Sequence, residues 1–160
     1  MNVKYDKLKE VIEKMTSIHH TISTMESCTG GGVSSVITNI PGASEVLHFG
    51  CVTYSNEYKV KMGVDPRIIE KFGVYSIETS KAMAKAICLL TGSDIGIGVS
   101  GNLNLIDKKE NKGGIVYFSI YQFVEKKFHS KVVTINKPQR EESKKAIINV
   151  IIDTLHDIYC

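Results

Sequence analysis

A glycine-rich stretch near the amino terminus carries the residue types for acyl-transfer chemistry, since residues 25–35 read MESCTGGGVSS. A β-strand is predicted to end at about Glu26 and a helix to begin at about Val33, so the glycines fall at a strand-to-helix junction. Backbone N–H groups there lack helical partners, glycine leaves them accessible, and the helix dipole adds positive charge. The pattern predicts an oxyanion hole or anion site beside Ser27, as a possible nucleophile. A tight turn that needs glycine only for its backbone angles is the alternative.

A possible base lies in a second stretch, residues 53–59, which read TYSNEYK. Ser55 or Asn56 can cap a short helix, which places Lys59 in its first turn. The helix dipole and partial burial would both lower the pKa of this lysine, and a neutral amine can take a proton from a serine. The Tyr54 hydroxyl can relay or share that proton. Taken alone, the spacing favours a strand-end tyrosine and a surface lysine.

Hydrophobic periodicity predicts the elements that must position these groups. Helices and strands alternate first and a hairpin follows, which indicates a layered α/β/α domain with a mixed β-sheet, spanning residues 1–160. The predicted helices cover residues 5–18, 33–40, 56–62, 76–90 and a last helix opened by Pro138, with one further helical turn over 66–69. The predicted strands cover 21–26, a buried strand over 46–54, then 94–100 and a hairpin of 114–121 with 128–135.

Composition excludes several classes of protein. Hydrophobic residues make up 42% of the 160-residue chain and the formal net charge is +3, so the chain has a core but no strongly basic surface for nucleic acid. No apolar run is long enough to span a membrane, and the charged amino terminus does not resemble a signal peptide. The cysteines form no C-x-x-C pair and have no ligand-spaced histidine, which predicts no metal site and favours a reducing cytoplasm.

Several motifs together resemble the C-terminal domain of the CinA (competence/damage-inducible protein) family, whose standalone form is the nicotinamide-nucleotide amidohydrolase PncC. These motifs are ESCTGG at Glu26–Gly31, IPGAS at Ile40–Ser44, TYSNEYKVKMGV at Thr53–Val64, GVSG at Gly98–Gly101 and the arginine of PQREESK at Arg140. The predicted order of helices and strands agrees with the family along almost all of the chain.

The resemblance implies hydrolysis of the carboxamide of nicotinamide mononucleotide to nicotinate mononucleotide and ammonia. It implies Ser27 as the nucleophile, with Lys59 and Tyr54 as its base system, and it favours Ser27 over the neighbouring thiol. It implies a homo-oligomer and no cofactor, while the composition and spacing above already predict no metal and no membrane or nucleic-acid partner. The substrate-binding residues that it implies are Glu26, Cys28, Thr29, Gly30, Gly31, Asn56, Ser100, Gly101 and Arg140, with the Thr29–Gly31 amides on either the oxyanion or the phosphate.

The third family motif departs from the family pattern. Where the family continues with a glycine-rich GxAGPxGG stretch, residues 100–114 read SGNLNLIDKKENKGG, and Lys144 stands where the family often carries arginine. Asn102, Leu103 and Leu105 are bulkier than glycine and their backbone is less free to turn. The change leaves two alternatives open: a non-catalytic protein that binds a nucleotide or partner, and an amidohydrolase with a different small amide substrate.

Overall fold

A five-stranded mixed β-sheet forms the centre of the structure, a computed structural model that describes residues 1–104 and 113–160. Most of the altered third motif and the charged run from 107 to 112 therefore lie outside the described residues. The strands are β1 (Ile22–Glu26), β2 (Leu47–Val52), β3 (Ile95–Asn102), β4 (Ile115–Gln122) and β5 (Lys127–Thr134). The helices are α1 (Tyr5–Ser17), α2 (Gly32–Thr38), α3 (Asn56–Lys61), α4 (Pro66–Phe72), α5 (Ile77–Thr91) and α6 (Arg140–Tyr159).

Side-chain caps set where several helices begin. Ser76 caps α5, as predicted, and Ser55 caps α3, each by accepting a hydrogen bond from the amide three residues further on. Asp65 caps α4 by accepting a hydrogen bond from the Arg67 amide, two residues further on, and Pro66 occupies the first turn of this helix. With both signals in place, α4 is a seven-residue helix and not the single turn that the sequence predicted.

Strand β2 corrects the prediction of a buried strand over residues 46–54. It lies at the edge of the sheet, where β1 is its single partner among the described strands, in parallel. Phe49 and Val52 are 41% and 48% exposed. The prediction was wrong because it inferred burial from the apolar run, and an edge strand with one neighbour can carry the same residues as a central strand.

Two layers of helices cover the sheet and confirm the predicted α/β/α class. Helices α1, α2 and α6 share one hydrophobic core with the sheet, while α5 packs on the opposite face. Glycine lets α5 approach β3 closely, because a Cβ at Gly96 or Gly98 would collide with the carbonyl oxygens of Ala84 and Ser80. No helix in the described part of the chain has the length and apolar character needed to cross a membrane.

The topology brings the chemically active stretches together. The sheet order is β2-β1-β3-β4-β5, with β1 parallel to both β2 and β3 and the remaining pairs antiparallel. The carboxyl ends of β1, β2 and β3 therefore meet at one edge, where ligands commonly bind in open α/β sheets. Ser27, Thr53 and Leu103 each follow one of these ends.

Candidate active site

The Ser27 hydroxyl and the Lys59 amine meet at this edge. Ser27 directly follows β1, and Lys59 projects from α3, just after β2. Lys59 Nζ lies 3.1 Å from Ser27 Oγ and 2.6 Å from the carbonyl oxygen of Thr53, and it donates to both. Lys59 is 1% exposed and Ser27 8% exposed. The structure thus brings together the two residues that the sequence analysis assigned as nucleophile and base.

Burial makes Lys59 chemically unusual. Desolvation lowers the pKa of the Lys59 amine to about 8, because removal from water disfavours the ammonium form. Among the described residues, no carboxylate forms an ion pair with it. The sequence analysis expected the helix dipole to lower this pKa together with burial, and the dipole does not do so. Lys59 lies in the last turn of α3, where the dipole favours a cation, so burial overrides the dipole.

A cavity of about 340 Å³ opens beside the Ser27–Lys59 pair. Residues from all three parallel strand ends and from the start of α6 enclose it. Among the described residues of its wall there is no aspartate or glutamate, and the charged types present there are the basic Lys59 and Arg140. The lining residues are Ser27, Cys28, Tyr54, Asn56, Lys59, Val74, Tyr75, Gly101, Asn102, Leu103, Asn104 and Arg140.

Glu26 is fully buried and does not line this cavity. Its carboxylate accepts hydrogen bonds from the amides of Val33 and Ser34, at 2.8 and 3.0 Å, and from the hydroxyls of Thr29 and Ser34, at 2.7 and 3.0 Å. Glu26 therefore satisfies the open amides of α2 itself. The sequence analysis expected Glu26 to bind substrate and the amino terminus of α2 to be open to an anion. In the structure, the Glu26 carboxylate caps that terminus.

The three other residues of the predicted anion loop also lie outside the cavity wall. Thr29 is buried with its hydroxyl on Glu26, and the Gly30 amide donates to the Ser27 carbonyl oxygen at 3.0 Å. Gly31 adopts φ +97° at the start of α2, a conformation that favours glycine. These three residues form the sharp turn that follows Ser27.

Arg140 and Tyr54 meet at the mouth of the cavity. Arg140 Nη2 donates to Tyr54 Oη at 3.1 Å, and Arg140 Nη1 donates to Asn104 Oδ1 at 2.9 Å. The Tyr54 ring is 65% exposed, and within the described chain its hydroxyl bonds neither Ser27 nor Lys59. No carboxylate neutralises Arg140 in that part of the chain, which leaves its charge available to a ligand.

Cys28 and Asn56 line the cavity as the sequence analysis expected, and Gly101 does so as well. Burial raises the pKa of the Cys28 thiol to about 12, so this thiol stays protonated and is a poor nucleophile. Ser100 lies behind the wall, fully buried, and donates from Oγ to the Val74 carbonyl oxygen at 2.7 Å. Ser100 therefore supports the cavity without reaching it.

The family model of the CinA C-terminal domain matches residues 5–159. The chain belongs to the CinA C-terminal domain family. A competence-damage inducible protein of Alkaliphilus oremlandii is 44% identical over 116 residues, which cover 71% of this chain and 28% of that protein. A protein of the same name from Clostridium acetobutylicum is 38% identical over 138 residues, covering 83% and 32%. The chain thus spans about a third or less of these CinA relatives.

Solved CinA structures share the fold. A competence or damage-inducible protein from Enterobacter asburiae superposes with a TM-score of 0.91 at 22% identity, with all of both chains covered. The CihA protein of Agrobacterium tumefaciens superposes with a TM-score of 0.89 at 24% identity, covering 96% of this chain and 94% of its own. At such identities the likeness concerns architecture alone.

Two residues of the cavity wall in this CinA domain belong to no motif that sequence reasoning singled out. Val74 and Tyr75 lie between α4 and α5 in no recognisable motif, and only the packing of that connection brings them to the site. Asn102, Leu103 and Asn104 mark the departure from the family's glycine motif, and all three line the cavity. The departure therefore alters the wall beside Ser27.

Proposed function

We propose that this chain is a serine amidohydrolase that removes ammonia from the carboxamide of nicotinamide mononucleotide. The observation that carries the proposal is the buried Lys59 amine, 3.1 Å from Ser27 Oγ, with its pKa lowered to about 8. A lysine in this state is partly neutral near physiological pH and can act as a general base toward a serine.

Acylation follows from this pair. Ser27 Oγ bonds to the carboxamide carbon while its proton passes to neutral Lys59. We assign the Cys28 backbone N–H, directly after Ser27 at the cavity wall, to the developing oxyanion. The tetrahedral intermediate then collapses, the C–N bond breaks, and Lys59 returns the proton to the departing nitrogen, which leaves as ammonia.

Deacylation uses the same groups in reverse. Lys59 takes a proton from a water molecule, whose oxygen attacks the acyl ester on Ser27. The ester bond breaks, Ser27 regains its proton from Lys59, and the product acid releases its remaining proton to solvent and leaves as a carboxylate. Amide and water are consumed and acid and ammonia are formed, so no redox partner is required.

The rim of the cavity suits an anionic group at the far end of the substrate. Arg140 places its guanidinium at the mouth, where it bonds only neutral groups, Tyr54 and Asn104, among the described residues, and Lys144 lies one turn further along α6, beside the glycine turn. Tyr54 and Tyr75 add aromatic surface, which suits a planar cationic ring such as pyridinium. These features support a mononucleotide, with its phosphate toward Arg140 and its ring toward the tyrosines.

A second candidate is an amidohydrolase for another small anionic amide. The observation that favours it is the bulk of Leu103, which is 3% exposed and lines the cavity within the stretch that departs from the family's glycine motif. This candidate keeps the Ser27–Lys59 chemistry and changes only the group that fits against the wall.

The decisive experiment measures ammonia release from nicotinamide mononucleotide by the chain and by its Ser27→Ala variant. Ser35→Ala, an exposed serine on α2, is the matched control and is expected to keep full activity. Cys28→Ala should also retain activity. Release that persists in Ser27→Ala would overturn the mechanism. Release from other amides but not from the mononucleotide would select the second candidate, and no Ser27-dependent release from any amide would indicate a binding protein.

We also propose that the chain acts in the cytoplasm and as a homo-oligomer. Its cysteines, Cys28, Cys51, Cys88 and Cys160, are all free thiols, which fits a reducing compartment. The exposed apolar residues of edge strand β2, Phe49 and Val52, support association of copies. Light scattering coupled to size-exclusion chromatography tests this, and a mass of one chain at micromolar concentration would contradict it.

A further inference from the structure

Three side chains with metal-ligand atoms, from α1 and the end of α6, lie close together away from the cavity. Glu10, His156 and Cys160 each offer one such atom, and these atoms all lie within 4.8 Å of one another. We propose that they form a binding site for a zinc ion, with water as the remaining ligand. This inference does not depend on the proposed amidohydrolase activity, because the cluster shares no residue with the cavity wall.

The two helices hold the cluster in a fixed register. Lys4 and Lys7 both reach Asp153, at 2.6 and 2.9 Å, and the Lys4 amide donates to the Asn149 side chain at 2.9 Å. These bonds and the apolar core shared by α1 and α6 set their mutual position. One turn beyond Asp153, the next contact pairs Glu10 with His156.

The cluster is already partly assembled. His156 Nε2 lies 2.6 Å from Glu10 Oε2. His156 and Cys160 are four residues apart at the end of α6, which puts them on one face, and the Cys160 amide bonds the His156 carbonyl oxygen at 2.7 Å. That bond keeps the last turn helical as far as the cysteine. The ligand atoms, all within 4.8 Å of one another, are close to the separation of roughly 3–4 Å that ligands have around one zinc ion.

The ligand set is the kind that selects zinc. Imidazole nitrogen, thiolate sulfur and carboxylate oxygen bind Zn²⁺ at about 2.0–2.3 Å, and three protein ligands leave a fourth position to water. Calcium and magnesium prefer oxygen ligands alone. One thiolate and one carboxylate balance the charge of a divalent ion. Binding would displace the thiol proton of Cys160 and replace the Glu10–His156 hydrogen bond by two bonds to the metal.

The sequence analysis predicted no metal site because it found no ligand-spaced histidine near a cysteine. The pair His156 and Cys160 has that spacing on a helix. Glu10 is 146 residues away from His156 in the chain, so only the packing of α1 on α6 brings in the third ligand.

The test titrates the metal-free chain with zinc chloride alone by isothermal titration calorimetry. We expect one zinc per chain, and at least a tenfold loss of affinity in each of His156→Ala, Cys160→Ser and Glu10→Gln. His48→Ala and Cys51→Ser, both on β2 and outside the cluster, are matched controls and should bind as the parent does. The absence of stoichiometric binding, or equal losses in the controls, would overturn the proposal.

Cobalt substitution adds a readout that is specific for the thiolate. The parent chain with Co²⁺ should show the near-ultraviolet charge-transfer absorption of a cobalt–thiolate bond, and Cys160→Ser should lack it while Cys51→Ser retains it. Because Cys160 is exposed and Glu10 lies on an open face, these variants should fold, and matching circular dichroism spectra would verify that. An unchanged cobalt spectrum in Cys160→Ser would exclude this cysteine as a ligand.

Discussion

Lys59 gains its chemistry from burial, since desolvation lowers its pKa to about 8. In the proposed mechanism the neutral amine is the base, so the rate should rise with pH and level off above about pH 8. Below that pH, kcat/KM should fall about tenfold per pH unit as Lys59 becomes protonated. Ammonia release from nicotinamide mononucleotide, measured across this range, checks the profile. Lys61→Met, on the exposed side of the same helix, should leave it unchanged, whereas a flat profile in the parent would exclude Lys59 as the base.

The same burial should have a cost in stability. The folded pKa of Lys59 lies below its ordinary value of 10.5, so the unfolded chain binds more protons between about pH 8 and 10.5 and stability rises with pH through that window. Lys59→Met removes the desolvated charge, and we expect it to be inactive yet more stable by about 1–2 kcal/mol near neutral pH. The gain should shrink as pH rises. Urea unfolding at about pH 7 and pH 10 measures both effects, and destabilisation at neutral pH would contradict this account.

At the scale of elements, Glu26 joins the end of β1 to the start of α2 and so fixes the turn that presents Ser27. Its carboxylate accepts four hydrogen bonds, and a glutamine amide cannot accept at its nitrogen. Glu26→Gln should therefore destabilise the fold by about 1–3 kcal/mol and lower kcat by tenfold or more, with a smaller change in KM. Exposed Glu45→Gln is the control. A Glu26→Gln variant with parental kcat would show that the capped turn does not position Ser27.

The elements also show how far sequence reasoning reaches. Periodicity and caps predicted the helices and the hairpin, because Ser76 and the apolar face of α5 act locally. The resemblance to the CinA family paired Ser27 with Lys59, whereas the spacing alone favoured a surface lysine. The two residues meet because the parallel strands before them end at one edge of the sheet. Local patterns could not show that Glu26 turns inward to cap α2, or that Tyr54 turns outward to Arg140. Both orientations depend on which hydrogen-bond partners the assembled fold places next to each side chain.

At the scale of the whole molecule, the cavity is enclosed by segments that are distant from one another in the sequence. Three strand ends, the connection before α5 and the start of α6 each contribute a wall. Arg140 joins two of these parts, since it bonds both Tyr54 and Asn104. A ligand that bridges Ser27 and Arg140 would tie the same parts together, so its binding should be visible as a gain in global stability.

This gain provides a test that does not require turnover. In Ser27→Ala, which cannot form the acyl ester, nicotinamide mononucleotide at about 100 times its Kd should stabilise the fold by about 2.7 kcal/mol, measured as a rise in Tm. Nicotinamide riboside, which lacks the phosphate, should give a smaller rise at equal concentration because it offers Arg140 no anion. Arg140→Met should reduce the response to the mononucleotide to that of the riboside. Arg67→Met, which replaces an exposed arginine on α4, should leave the response unchanged. Equal responses to both ligands in the parent site would mean that Arg140 does not recognise the phosphate.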